Sequence, residues 1–204
     1  MFDEKKIEKI KKLVPKLLDE GLIKKNDEYK KLTQFFVENA KDSLNSAKLL
    51  FEVSTNDKLM ELTGFKNFKG YLWAINASYY SMFYMANALL ASEGIKIAAE
   101  TGVHKITFNA FTYYFYLNGK ITKKYIEEFL EAQKDSEELL GREEIAKEAD
   151  IKAKKLIIDL AYESEKRKAF TYELERTRIE AKAKTSIERA QSFLVEIMKL
   201  LKEW

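Results

Sequence analysis

From residue 70 to residue 92 the chain reads GYLWAINASYYSMFYMANALLAS, with no Asp, Glu, Lys, Arg or His, in a protein in which 34% of residues are charged. A run of this length is enough to cross a bilayer, for which about 20 apolar residues suffice. Asn76, Ser78, Ser81, Asn87 and the four tyrosines argue against that, because each would be costly in hydrocarbon. The reading that fits is a helix buried on nearly every side of a helical core. Leu72, Asn76, Tyr79, Phe83, Ala86 and Leu90 share one face at helical spacing, and Trp73, Ala77, Tyr80 and Tyr84 share the neighbouring one. Such a helix needs packing partners on both sides.

The rest of the chain supplies them. With 204 residues, 46% of them hydrophobic, one Pro and seven Gly, the chain has material for a real core and few helix breakers. No stretch alternates convincingly with period two, so the expected class is all-α. An opening amphipathic helix carries Ile7, Ile10, Leu13, Val14, Leu17 and Leu18, is kinked at Pro15 and ends near Gly21. A second starts at Asn26 or Asp27 and runs through Leu32, Phe35, Phe36, Ala40, Leu44, Ala47 and Phe51. Residues 54–69 read as an irregular connection with one short helical turn. The uncharged helix follows and stops at Gly94. Residues 102–118 form an aromatic helix capped by Gly119, and Thr122 caps another that reaches Leu140 and Gly141. A long charged helix over 143–167 precedes the last, whose Ile179, Ala183, Ile187, Ala190, Leu194, Ile197 and Leu201 step by threes and fours like a bundle seam. The organisation expected is a helical extension over 1–25 and an up-and-down bundle over 26–204.

Composition excludes several kinds of chemistry. With no cysteine there is no disulfide framework, no thiolate nucleophile and no Cys-type zinc site, and a reducing cytoplasm is the expected home. The start, MFDEKKIEKIKKL, lacks the apolar core of a secretory signal. Lys and Glu enrichment fits a heat-adapted protein. A net charge of +3 does not by itself imply nucleic-acid binding. All the arginines, Arg142, Arg167, Arg176, Arg178 and Arg189, lie in the last third, which leaves room there for a phosphate-facing surface. The neighbouring Glu173, Glu175, Glu180 and Glu188 favour a solvated face with helix-spaced ion pairs. There is no Gly-rich phosphate loop, no hydrolase triad order and no ExxH pair, and one histidine cannot build a His-rich metal site, so no metal or cofactor is expected.

Three blocks carry a family resemblance. NASYYSMFYMANALL over 76–90 has two adjacent tyrosines, an aromatic, then a small residue and a leucine pair; TGVHKITFNAF follows with His104; RKAFTY holds Arg167 and Tyr172 and leads into AKTSIERAQSFLVEI. With VENAKDSLNSAKLLFEV near the start, these blocks resemble the HEPN domains over about 29–201. The resemblance implies a bundle of four or five core helices that dimerises. Its relatives are prokaryotic proteins, often metal-independent RNases of toxin–antitoxin or defence systems encoded beside an MNT-type nucleotidyltransferase. Others only bind RNA or nucleotide.

In the RNases of that family an arginine is followed after four to six residues by a histidine, the guanidinium holding the phosphate while imidazole moves a proton. Here the only histidine, His104, precedes every arginine, so no Arg-to-His pair at that spacing exists, and Ala77 and Tyr84 stand where some members carry arginine and histidine. Thr171 stands where an acidic residue is common. The expectation is therefore a non-catalytic binding component that contacts RNA or nucleotide through Asn76, Tyr79, Tyr80, Tyr84, His104, Arg167 and Tyr172, as a homodimer with a nucleotidyltransferase partner. Two alternatives stay open: an RNase with a rearranged site made of His104 and Arg167, and a helical adaptor that docks another protein. Locally, His104 suits a cap or a packing role at a helix start, and Asn76 is spaced to reach the hydroxyl of Tyr79 or Tyr80. Arg167 can pair with Glu163. Tyr113, Tyr114, Phe115 and Tyr116 are too many consecutive aromatics for one stripe, so some should face outward as a dimer surface or a stacking platform.

Overall fold

A computed structural model describes residues 2–138 and 165–202, with the backbone alone over 165–176. The described chain is an all-α bundle with one very small sheet. Helix α1 (Glu4–Asp19) begins where Asp3 accepts a hydrogen bond from the Lys6 amide at 2.9 Å. It passes through Pro15 without ending and closes at Gly21, whose φ of +72° the lack of a Cβ makes inexpensive. Its buried face, Ile10, Val14 and Leu17, joins the same core as the bundle, together with Phe2 and Ile23.

Strand β1 (Ile23–Lys25) pairs antiparallel with β2 (Ile95–Ile97), a ribbon that period-two reading does not detect because each strand has only three residues. The ribbon ties the opening segment to the end of the uncharged helix. The expected second helix is split in two. Asn26 caps a 3-10 helix (Asp27–Leu32), and the α-helix proper, α2, spans Thr33–Thr55. Asn56 then caps the short α3 (Asp57–Leu62), accepting from the Lys58 and Leu59 amides.

Helix α4 (Tyr71–Ser92) is the uncharged run, and it packs most extensively on α2 and next on the last helix of the chain. Its neighbours run antiparallel to it on the α2 side. Ser81 Oγ donates to the Ala40 carbonyl at 2.8 Å, and the Gly70 amide donates to Ser54 Oγ at 2.7 Å at the other end. No helix among the described residues is long and apolar enough to cross a membrane.

Helix α5 (Val103–Phe111) widens into a π-helical turn over Thr112–Tyr116, where the Leu117 amide reaches the Thr112 carbonyl at 3.1 Å. Of the four consecutive aromatics expected to divide between core and surface, one is fully buried and three are partly exposed. Phe115 is buried, Tyr113, Tyr114 and Tyr116 are half-buried against the core, and Phe2 covers Tyr116 with ring centres 5.4 Å apart.

Helix α6 covers residues 123–138, and α7 spans Glu165–Lys202. The seam expected on α7 is present: Ala183, Ile187, Ala190, Leu194 and Ile197 are buried, and Ile179 and Leu201 are partly so. Phe111, Phe129 and Phe193 meet at the centre with ring centres 5.6–5.7 Å apart. Arg189 departs from the solvated-face reading. Its guanidinium is only 10% exposed and bridges to Glu131 and Asp135 of α6, each at 3.2 Å, so its partners lie on another helix rather than on its own. The helix expected over 143–167 lies outside the described residues apart from its last turn, which is already part of α7.

Gly94 is a tight backbone joint. Its φ is +70°, and a Cβ there would sit 2.9 Å from the Asn26 carbonyl oxygen, while the Asn26 amide donates to Gly94 O at 2.8 Å. Gly94→Ala is expected to destabilise the fold by about 2 kcal/mol or more, from left-handed strain and displaced backbone together. Urea unfolding followed by circular dichroism measures this.

Candidate functional site

On α4, apart from Leu72 and Ser92, the side chains that escape full burial form one stripe, Trp73, Asn76, Ala77, Tyr80 and Tyr84. Trp73 is 56% exposed. Together with Asn39, Asp42, Ser43, Ser46 and Leu50 of α2 they line a groove of about 390 Å³. Aromatic rings form one wall and small polar side chains the other. Phe36 extends the aromatic wall, stacked on Tyr84 with centres 6.5 Å apart.

Behind Tyr80 sits His104. Its ring lies against Tyr79, Tyr80 and Phe83 at centroid distances of 5.5, 5.7 and 4.6 Å. His104 Nδ1 and the Tyr79 hydroxyl are 2.7 Å apart. Burial pushes the Tyr79 phenol well above its usual range, helped by the charge of Glu137 and by Tyr80, so the hydroxyl keeps its proton. In the tautomer in which the phenol donates, Nδ1 accepts and the ring proton stands on Nε2. Burial also lowers the imidazole pKa, with Glu137 opposing in part. The ring is thus neutral near pH 7, with its one lone pair engaged. Of the two roles open to it, His104 takes packing; Gly102 precedes α5 in a left-handed conformation, and no side chain caps that end.

Asn76 does not reach a tyrosine hydroxyl. Its Oδ1 accepts from Ser136 Oγ of α6 at 2.6 Å, because the long tyrosine side chains carry their hydroxyls past it. Three of the expected residues, Asn76, Tyr80 and Tyr84, therefore share the groove, while Tyr79 and His104 form the layer beneath. Arg167 and Tyr172 stand on α7, 13 and 8 residues before Glu180, which accepts from the Tyr71 hydroxyl at 2.9 Å. Their side chains, and Glu163, lie outside the described residues. The α2 wall of Asn39, Asp42, Ser43 and Ser46 went unread in the sequence. Its signal was a polar stripe at helical spacing beside the apolar one in VENAKDSLNSAK.

A second hollow, of about 510 Å³, lies around α3 and the loop after it, lined by Met60, Phe65 and Lys66 among others, and holds none of these residues. Among the described residues no group of three or more His, Asp or Glu is placed to hold a metal ion. Compared with protein-family models, curated proteins and solved structures, the chain matches none.

Two predictions test the layer under the groove. Tyr79→Phe leaves His104 Nδ1 without its partner and should cost about 1 kcal/mol in urea unfolding at pH 7.5. Because the native ring resists protonation, the unfolded chain takes up a proton first as pH falls below the ordinary imidazole value of 6.5. Stability contributed by the neutral ring is whole above that pH and declines from there down to the native pKa. Comparing unfolding at pH 7.5 and 5.5, wild type should lose more stability than His104→Gln.

Proposed function

We propose that this protein is a HEPN-type binding module that holds RNA or nucleotide without cutting it, as the homodimeric partner of a nucleotidyltransferase in a toxin–antitoxin or defence pair. The observation that carries the reading is the groove between α2 and α4. Trp73, Tyr80 and Tyr84 offer flat apolar faces, and the opposite wall offers hydroxyl, amide and carboxylate groups that can meet the edges of a stacked base. Stacking tolerates any base, and the polar wall can read edges.

His104 supports binding over cleavage. When Tyr79 donates to Nδ1 and the ring proton is on Nε2, the ring has no free lone pair to accept a proton from a 2′-hydroxyl. The described arginine at the bundle centre, Arg189, is committed to Glu131 and Asp135.

Incubating a labelled single-stranded RNA with the protein in EDTA should give a retarded complex and intact RNA. Trp73→Ala and Tyr80→Ala should each weaken binding by about fivefold or more, the usual worth of one stacked base. Cleavage abolished by both His104→Ala and Arg167→Ala would instead establish the rearranged RNase. Failure to bind any RNA or nucleotide at low salt would leave the adaptor.

A further inference from the structure

Resting on the nucleotide-binding reading, we propose that the α2/α4 groove selects guanine, with Asp42 reading the base edge. The register between the helices brings the parts together. Ser81 meets Ala40 and Gly70 meets Ser54, so α2 descends as α4 ascends, and Asp42 and Ser43 lie level with Tyr80. The Phe36–Tyr84 stack one turn further on agrees with that register.

Charge then narrows the ligand. Asp42 is the only charged residue lining the groove, and no Lys or Arg lines it. Among the described residues Asp42 enters no hydrogen bond or ion pair, which leaves both carboxylate oxygens open to a ligand in the groove. An anionic groove repels phosphate and accepts hydrogen-bond donors. A ring that stacks on Tyr80 must therefore turn a donor edge toward α2 and leave its phosphates in solvent.

Among the RNA bases, guanine alone presents two adjacent donors, N1–H and the N2 amino group, which match the two oxygens of a carboxylate. Adenine and cytosine place a ring acceptor beside their amino group, and uracil flanks its single N–H with carbonyls, so each would set a lone pair against the carboxylate. The other edge of guanine needs donors. Ser43 and Ser46 supply hydroxyls, and Asn76 keeps its amide N–H groups because only its oxygen is engaged by Ser136.

The test is equilibrium binding of guanosine, inosine, adenosine, cytidine and uridine to the full chain, with free arginine as a guanidinium control. Guanosine should bind about tenfold or more tightly than adenosine, cytidine or uridine, and inosine, which lacks the amino group, should fall between. Asp42→Asn, an exposed change that leaves the core untouched, should remove the guanosine preference, and Tyr80→Ala should weaken all the nucleosides alike. Equal binding of all the bases, a preference unaltered by Asp42→Asn, or arginine outcompeting guanosine would overturn guanine selection while leaving RNA binding intact. Absence of binding by every nucleoside and by RNA would overturn both.

Discussion

Ser81 donating to the Ala40 carbonyl at 2.8 Å marks the contact on which the bundle depends, the close approach of α2 to α4. Ala40 and Ala47 are fully buried and small enough to let the two backbones draw together. An uncharged helix tolerates such burial only when each polar group finds a partner. Ser78 and Asn87 turn back to the Ala74 and Phe83 carbonyls, Asn76 meets Ser136, and Tyr71 reaches both Ser54 O and Glu180. Of the residues that would make a membrane span costly, Tyr71, Asn76, Tyr79 and Ser81 join α4 to its neighbours, whereas Ser78 and Asn87 are satisfied within it.

The same packing creates the groove. Helix α4 is covered by α2 on one side and by α6 and α7 on others, and the arc left between α2 and the His104 layer carries Trp73, Tyr80 and Tyr84. Tyr80 is held from behind by Tyr79, Phe83 and His104, which fixes the orientation of its ring in the groove wall. The histidine thus serves the site by supporting its aromatic wall.

Much of the helical framework was legible because its apolar spacing is regular over many residues: α1, α4 and the seam of α7 follow their periods closely. Short features were not. Three-residue strands, the 3-10 entry to α2 and the π turn after α5 depend on backbone contacts with distant segments, such as Asn26 with Gly94, which no local pattern encodes. Within the site, Asn76, Tyr80 and Tyr84 stood out on the uncharged run, whereas Asp42 did not, since a carboxylate on a polar helix face looks like any solvated charge until its unpaired position beside an aromatic stripe is seen.

Residue order alone determined that this chain forms helices, which faces of α1, α4 and α7 are apolar, and that α4 must be enclosed, because hydrophobic periodicity and the cost of burying unpaired polar groups act locally. Only the tertiary structure decided that Asn76 pairs with Ser136, that His104 pairs with Tyr79, that Arg189 crosses to α6, and that Asp42 faces a groove. Those pairings follow from helix register and direction, which are set by the packing of segments far apart in the chain.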